Sequence, residues 1–111
     1  TDVTYVDKFG GCVAFVKKTA LQLQIESELR VVKSDVFKFM KYCGEQFDYI
    51  FAGPPYGLST IDTIPDRVFE HQLLRKAGLF VMEHNPNHGY EDHPNFLESR
   101  HYGKTIFSFF Q

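Results

Sequence analysis

The chain has 111 residues, 43% hydrophobic, 23% charged and 16% aromatic, with a formal net charge of −2. That is the composition of one soluble globular domain with a modest core rather than of a disordered chain, and the near-neutral balance argues against a strong nucleic-acid footprint over the whole segment. No run approaches a membrane span and no charged-then-apolar leader opens the chain; Cys12 and Cys43, without metal-type spacing, fit a reduced, cytoplasmic protein.

Residues 3–6 are a short β-prone run that ends at Asp7-Lys8 and passes through Phe9-Gly10-Gly11 into a helix. From position 12 to about position 24 the apolar residues Cys12, Val16, Ala20 and Leu23 recur at helical spacing, with Lys17 and Lys18 on the far side. Residues 29–32 make a second strand. Ser34 or Asp35 then caps a short helix that carries Val36, Phe37, Met40 and Cys43 inward, and Gly44 ends it.

The run Phe47-Asp48-Tyr49-Ile50-Phe51-Ala52 reads as a strand buried on both faces, as in a parallel sheet. Pro54 and Pro55 stop its ladder, because neither has an N–H to donate. A polar loop covers 57–63. Pro65 suits the first turn of a helix reaching about Lys76, with Val68, Phe69 and Leu73 inward, Arg75 and Lys76 in the last turn, and Gly78 as its stop. Residues 79–83 form another buried strand and 85–94 a loop. Residues 96–102 and 105–110 alternate and turn at Gly103-Lys104, which predicts a hairpin. The order β-α-β-α-β-α-β plus hairpin predicts an α/β fold, mainly parallel with a C-terminal antiparallel edge.

Strand ends carry the candidate chemistry. Asp7 follows the first strand, Asp35 the second, and Gly53-Pro54-Pro55-Tyr56 the third. A carboxylate just past a parallel strand can accept ribose hydroxyls, and a second acid can accept an adenine amino hydrogen. Both acids also have plain structural readings: Asp35 as a helix cap, Asp7 as a solvated loop acid. Gly10-Gly11 lacks the spacing and the following Lys-Ser/Thr of a phosphate cradle. His84, His88 and His93 lie near Glu83, Glu91 and Asp92 without a ligand spacing, so a flexible polar loop is expected there and no metal site.

These residues resemble the RsmD family of bacterial 16S rRNA (guanine-N2)-methyltransferases over essentially the whole chain. The likeness rests on Val3-Thr4-Tyr5-Val6-Asp7-Lys8, on Ser34-Asp35-Val36-Phe37, on the strand leading into Pro54-Pro55-Tyr56, and on the ending Arg100-His101-Tyr102-Gly103-Lys104-Thr105-Ile106-Phe107-Ser108. It implies a Rossmann-like class I methyltransferase sheet, with 1–111 as a single, incomplete methyltransferase domain that lacks the first strand and the glycine-rich loop. It implies S-adenosylmethionine as cofactor, held by Asp7 with Lys8 beside it at the ribose, and by Asp35 and Val36 at the adenine. It places the target amine at Gly53, Pro54, Pro55 and Tyr56, with 16S rRNA or a small-subunit assembly intermediate as partner and no membrane.

Two departures from the family pattern bear on activity. The cofactor site is half built without the upstream loop, and position 53 is Gly where the family turn has Asp or Asn. Two other readings therefore stand beside the rRNA enzyme: a non-catalytic methyltransferase-fold protein that binds cofactor or RNA, and an amino-directed DNA methyltransferase. Unpaired strand edges would favour self-association of the chain as given.

Overall fold

The computed structural model describes residues 3–8, 10–24, 27, 29–54 and 60–111, which fall into two compact units, Thr1–Cys43 and Gly44–Gln111. In the first, β1 (Val3–Asp7) and β2 (Leu29–Lys33) pair in parallel from Val3 opposite Leu29 to Asp7 opposite Lys33. Parallel neighbours require a crossover, and α1 (Gly10–Gln22) supplies it. Helix α2 (Val36–Tyr42) follows β2, capped at its start by Asp35.

The buried stripe of α1 differs from the expected one. Val13 and Ala20 are buried and Val16 half-buried, whereas Cys12 is exposed and Leu23 lies beyond the helix, 63% exposed. Apolar residues occupy two adjacent faces of this helix, so spacing alone does not choose between stripes offset by one position. In α2 Met40 is buried as expected, Phe37 is half-buried and Val36 is exposed. Gly44, at φ 67°, takes the left-handed backbone that a chain leaving a helix needs.

The second unit is a four-stranded mixed sheet in the order β3-β4-β6-β5, built from β3 (Phe47–Ala52), β4 (Leu74–His84), β5 (Phe96–Tyr102) and β6 (Thr105–Phe110). Strand β4 runs parallel to β3 and antiparallel to β6, and the β5–β6 hairpin turns at Gly103, φ 63°. The expected α/β class, parallel pairs and closing antiparallel hairpin are all present.

Helix α3 (Ile64–Glu70), preceded by a 3-10 turn at Ile61–Thr63, is shorter than the sequence suggests. It does not reach Lys76. Gln72 takes φ 54°, the amide of Leu73 donates back to the Val68 carbonyl, and the chain is then free to enter β4 at Leu74. A left-handed residue with that six-to-one bond is a Schellman stop, here formed without glycine and therefore without its usual signal. Arg75, Lys76 and Gly78 consequently lie in β4.

Alternation sorts the sheet into two faces. Phe80, Met82 and His84 of β4 and Ile106, Ser108 and Phe110 of β6 are all buried on one. Phe69, Tyr90, His93 and Phe96 close around Phe110 there, with ring centroids 5.4–6.4 Å away. The other face carries Tyr49, Phe51, Val81, Glu83, Phe107 and Phe109, as the pairs Phe51–Val81, Val81–Phe109 and Glu83–Phe107 require. Strand β3 is not buried on both faces: Tyr49 is 59% and Phe51 52% exposed. Among the described residues it is the outer strand of its sheet, next to β4. No helix among the described residues is long and apolar enough to cross a membrane.

Candidate active site

In the first unit the carboxyl ends of β1 and β2 lie side by side, which brings Asp7, Lys8, Asp35 and Val36 to one edge. The Asp7 carbonyl accepts the Ser34 amide at 2.9 Å, tying the two strand ends together. Its Oδ2 accepts the Tyr5 hydroxyl at 2.8 Å. That bond, with some burial and the nearby negative charge, pushes the Tyr5 phenol up to about 12, so Tyr5 remains a donor that orients the carboxylate.

Asp35 Oδ1 accepts the amides of Phe37 and Lys38 at 3.0 and 3.1 Å. The cap expected of Asp35 is therefore made, and both of its bonds fall on one oxygen. The second oxygen, Oδ2, stands outside the cap at the same strand edge.

In the second unit the turn after β3 begins at Gly53-Pro54. Pro55 and Tyr56, the other half of the expected base-binding turn, lie outside the described residues, as does the start of the 57–63 loop. The register places Ala52 opposite Met82, so Gly53 comes level with Glu83 at the carboxyl ends of two parallel strands. A Cβ built on Gly53 would lie 3.2 Å from Phe51 Cε1 and 3.9 Å from Glu83 Oε2. The carboxylate nearest that turn among the described residues thus comes from the neighbouring strand. The sequence places Glu83 at the end of the 79–83 strand and beside the histidines, but gives no sign that it stands next to the turn after β3.

Asp48 sits at the opposite end of β3 and forms an exposed ion pair with Arg75 at 2.9 Å. Exposed pairs of this kind contribute little to stability.

The histidines serve the packing of the loop after β4, which is anchored rather than loose. The Asn85 carbonyl can only accept, so His84 Nδ1–H donates to it at 2.9 Å, and Nε2 accepts the Ser108 hydroxyl at 2.7 Å. His93 Nδ1 accepts the Asn95 amide at 3.0 Å, which leaves Nε2–H to donate to Asp66 at 2.9 Å. Asp62 Oδ1 receives the Tyr90 hydroxyl at 2.8 Å and lies 2.9 Å from His88 Nδ1. The Tyr90 phenol is pushed well up, by burial first and then by Asp62.

The Tyr90 hydrogen bond, followed by His88, holds the Asp62 carboxyl below the usual carboxylate range. A depressed folded-state pKa stabilises above the unfolded value of about 4 and ceases to do so as pH falls through the folded value. Denaturant titrations should therefore show Asp62→Asn less stable than wild type at neutral pH, with the gap closing at strongly acid pH. A gap that does not change with pH would contradict this account of Asp62.

The family described as Conserved hypothetical protein 95 matches residues 1–111. The chain belongs to that family. Among solved structures it is similar to a candidate methylase from Haemophilus influenzae, at 20% identity and TM-score 0.79, covering 99% of this chain and 71% of that one. It is similar to a candidate methyltransferase from Escherichia coli, at 17% identity and TM-score 0.86, covering 99% and 63%. A hypothetical protein from Thermus thermophilus matches at 24% identity and TM-score 0.80, covering 99% of this chain and 62% of that one. No curated protein sequence matches the chain. The family member described here thus has the α/β, Rossmann-like fold of proteins named as methylases and methyltransferases, and spans roughly two thirds of their length.

Proposed function

We propose that this chain is part of an S-adenosylmethionine-dependent methyltransferase of the RsmD type, acting on the exocyclic N2 amine of a guanine in 16S rRNA or a small-subunit assembly intermediate. The observation that carries the reading is a Gly53-Pro54 turn at the carboxyl end of a parallel strand, in a chain whose whole length matches one family. The ending at Arg100–Ser108 folds as the β5–β6 hairpin, and it is its sequence resemblance to the closing hairpin of the rRNA enzymes that favours them over the DNA-directed ones.

The donor set at the first unit's edge fits the nucleoside part of the cofactor. Asp7, oriented by Tyr5, offers carboxylate oxygen to ribose hydroxyls, with Lys8 next to it. Asp35 Oδ2, outside the helix cap, can accept the adenine amino hydrogen, and the Val36 amide can donate to the ring. When bound, S-adenosylmethionine supplies an electrophilic methyl group on a sulfonium. Because that leaving group is already activated, the protein's task is to position the amine and stabilise the charge that develops on it. The Pro54 carbonyl accepts one amine hydrogen, and Tyr56 stacks on the extruded base.

The test uses the full-length protein with labelled S-adenosylmethionine and unmodified small-subunit rRNA. Methyl transfer to a guanine amine is expected. Asp7→Ala should weaken cofactor binding by about 10- to 100-fold in calorimetry, the loss of one or two hydrogen bonds to a charged group. Transfer to DNA alone would favour the DNA-directed alternative, and cofactor binding without any transfer would favour the non-catalytic one.

A further inference from the structure

An aromatic exocyclic amine is a poor nucleophile because its lone pair is delocalised into the ring. Acceptors on both of its hydrogens draw the nitrogen toward a geometry in which that lone pair can attack. The turn after β3 offers backbone carbonyls, but neither Gly53 nor Pro54 has a side-chain acceptor. A carboxylate does stand at this spot, on the neighbouring strand. Glu83 Oε2 lies 3.9 Å from the point where a residue-53 side chain would begin. Glu83 is half-buried, on the same sheet face as Phe51 and Gly53, at the carboxyl end of β4.

We infer that Glu83 is the second acceptor for the target amine, doing from β4 what a polar residue at position 53 would do from the turn. The inference rests on the methyltransferase reading above. With the amine between the Pro54 carbonyl and the Glu83 carboxylate, the nitrogen lone pair forms the new N–C bond, and the electron pair of the broken methyl–sulfur bond stays on sulfur. The proton displaced from nitrogen passes to the Glu83 carboxylate and from there to water. The carboxylate also opposes the positive charge that grows on nitrogen as the bond forms. The pairs Phe51–Val81 and Ala52–Met82 fix where Glu83 stands. The Phe51 ring, packed against Gly53, holds the apolar side of the same corner.

The experiment compares wild type, Glu83→Gln, Gly53→Asp and the double variant in the full-length protein, reading kcat on small-subunit rRNA and S-adenosylmethionine affinity by calorimetry. Glu83→Gln should lower kcat by about 10²- to 10³-fold, the usual effect of losing one positioned polar partner, while cofactor affinity holds. Adding Gly53→Asp to Glu83→Gln should recover much of that loss, because the new carboxylate enters the same corner; the Phe51 ring, 52% exposed, can turn aside for it. A purely structural role would not be rescued in this way. Glu83→Gln with wild-type kcat would overturn the inference, as would a loss that Gly53→Asp does not repair. If wild type is silent and Gly53→Asp is active, the methyltransferase reading stands and the role of Glu83 falls. If both are silent, the methyltransferase reading itself fails.

Discussion

Phe110→Ala should cost about 3–5 kcal/mol, the range for removing a large aromatic from a close-packed core. Phe110 is fully buried, and its ring stacks on Phe80 at 5.1 Å with a 27° interplanar angle. His93 and Phe96 meet it edge-on at 5.4 and 6.0 Å. Such aromatic pairs add about 0.5–1.5 kcal/mol each beyond area burial, so the cavity forfeits several favourable contacts together. The residue also lies at a junction of the backbone, opposite Phe80 on β4 and Phe96 on β5. A domain stable by about 5–15 kcal/mol would lose a large fraction of that margin. Urea unfolding of the full-length protein measures it, with Phe107→Ala, from the less buried face, as the milder comparison. A Phe110→Ala loss no greater than that of Phe107→Ala would show that the core is not centred here.

Phe110 also shows which parts of the fold were legible in the sequence. The bounds of the hairpin could be read because Gly103-Lys104 marks a turn between two β-prone runs. Its buried face could not: Ser108 lies inward with Ile106 and Phe110 while Phe107 and Phe109 take the other face, and β5 breaks its register between Phe96 and Glu98. The β-α alternation was plain. What escaped were features set by a single backbone angle or by a tertiary neighbour. The end of α3 depends on Gln72 at φ 54°, and nothing in a glutamine announces that conformation. The exposure of Tyr49 and Phe51 goes with the place of β3 at the outside of the sheet that the described residues form. The strand-end positions of Asp7 and Asp35 were legible because each belongs to its own strand and the short stretch after it. The nearness of Glu83 to Gly53 was not, because it joins two strands separated in sequence by α3.

That nearness depends on register, and the register depends on Gly78. Between the pairs Phe47–Leu74 and Tyr49–Leu79 strand β4 takes a longer path than β3, bulging through Ala77 at φ 66°. The bulge closes because Gly78 has no side chain. A Cβ there would stand 2.8 Å from both the Arg75 and Asp48 carbonyl oxygens and 2.9 Å from Leu74 Cδ1. Two of those three neighbours are backbone, which cannot move aside without disturbing the β3–β4 pairing itself. Gly78→Ala is therefore expected to destabilise by about 1–3 kcal/mol, the cost of overpacking a filled site. It should also loosen the ladder that brings Glu83 beside Gly53, because a one-residue slip turns every side chain of a strand to the opposite face. Hydrogen exchange should then show β3 and β4 amides losing protection while the β5–β6 hairpin keeps its own. Unchanged unfolding midpoints with full β3–β4 protection would mean that the bulge tolerates a methyl group and does not set the register. If instead the two strands loosen and methyl transfer falls with them, Gly78 lies at the base of the same corner that Gly53 and Glu83 complete.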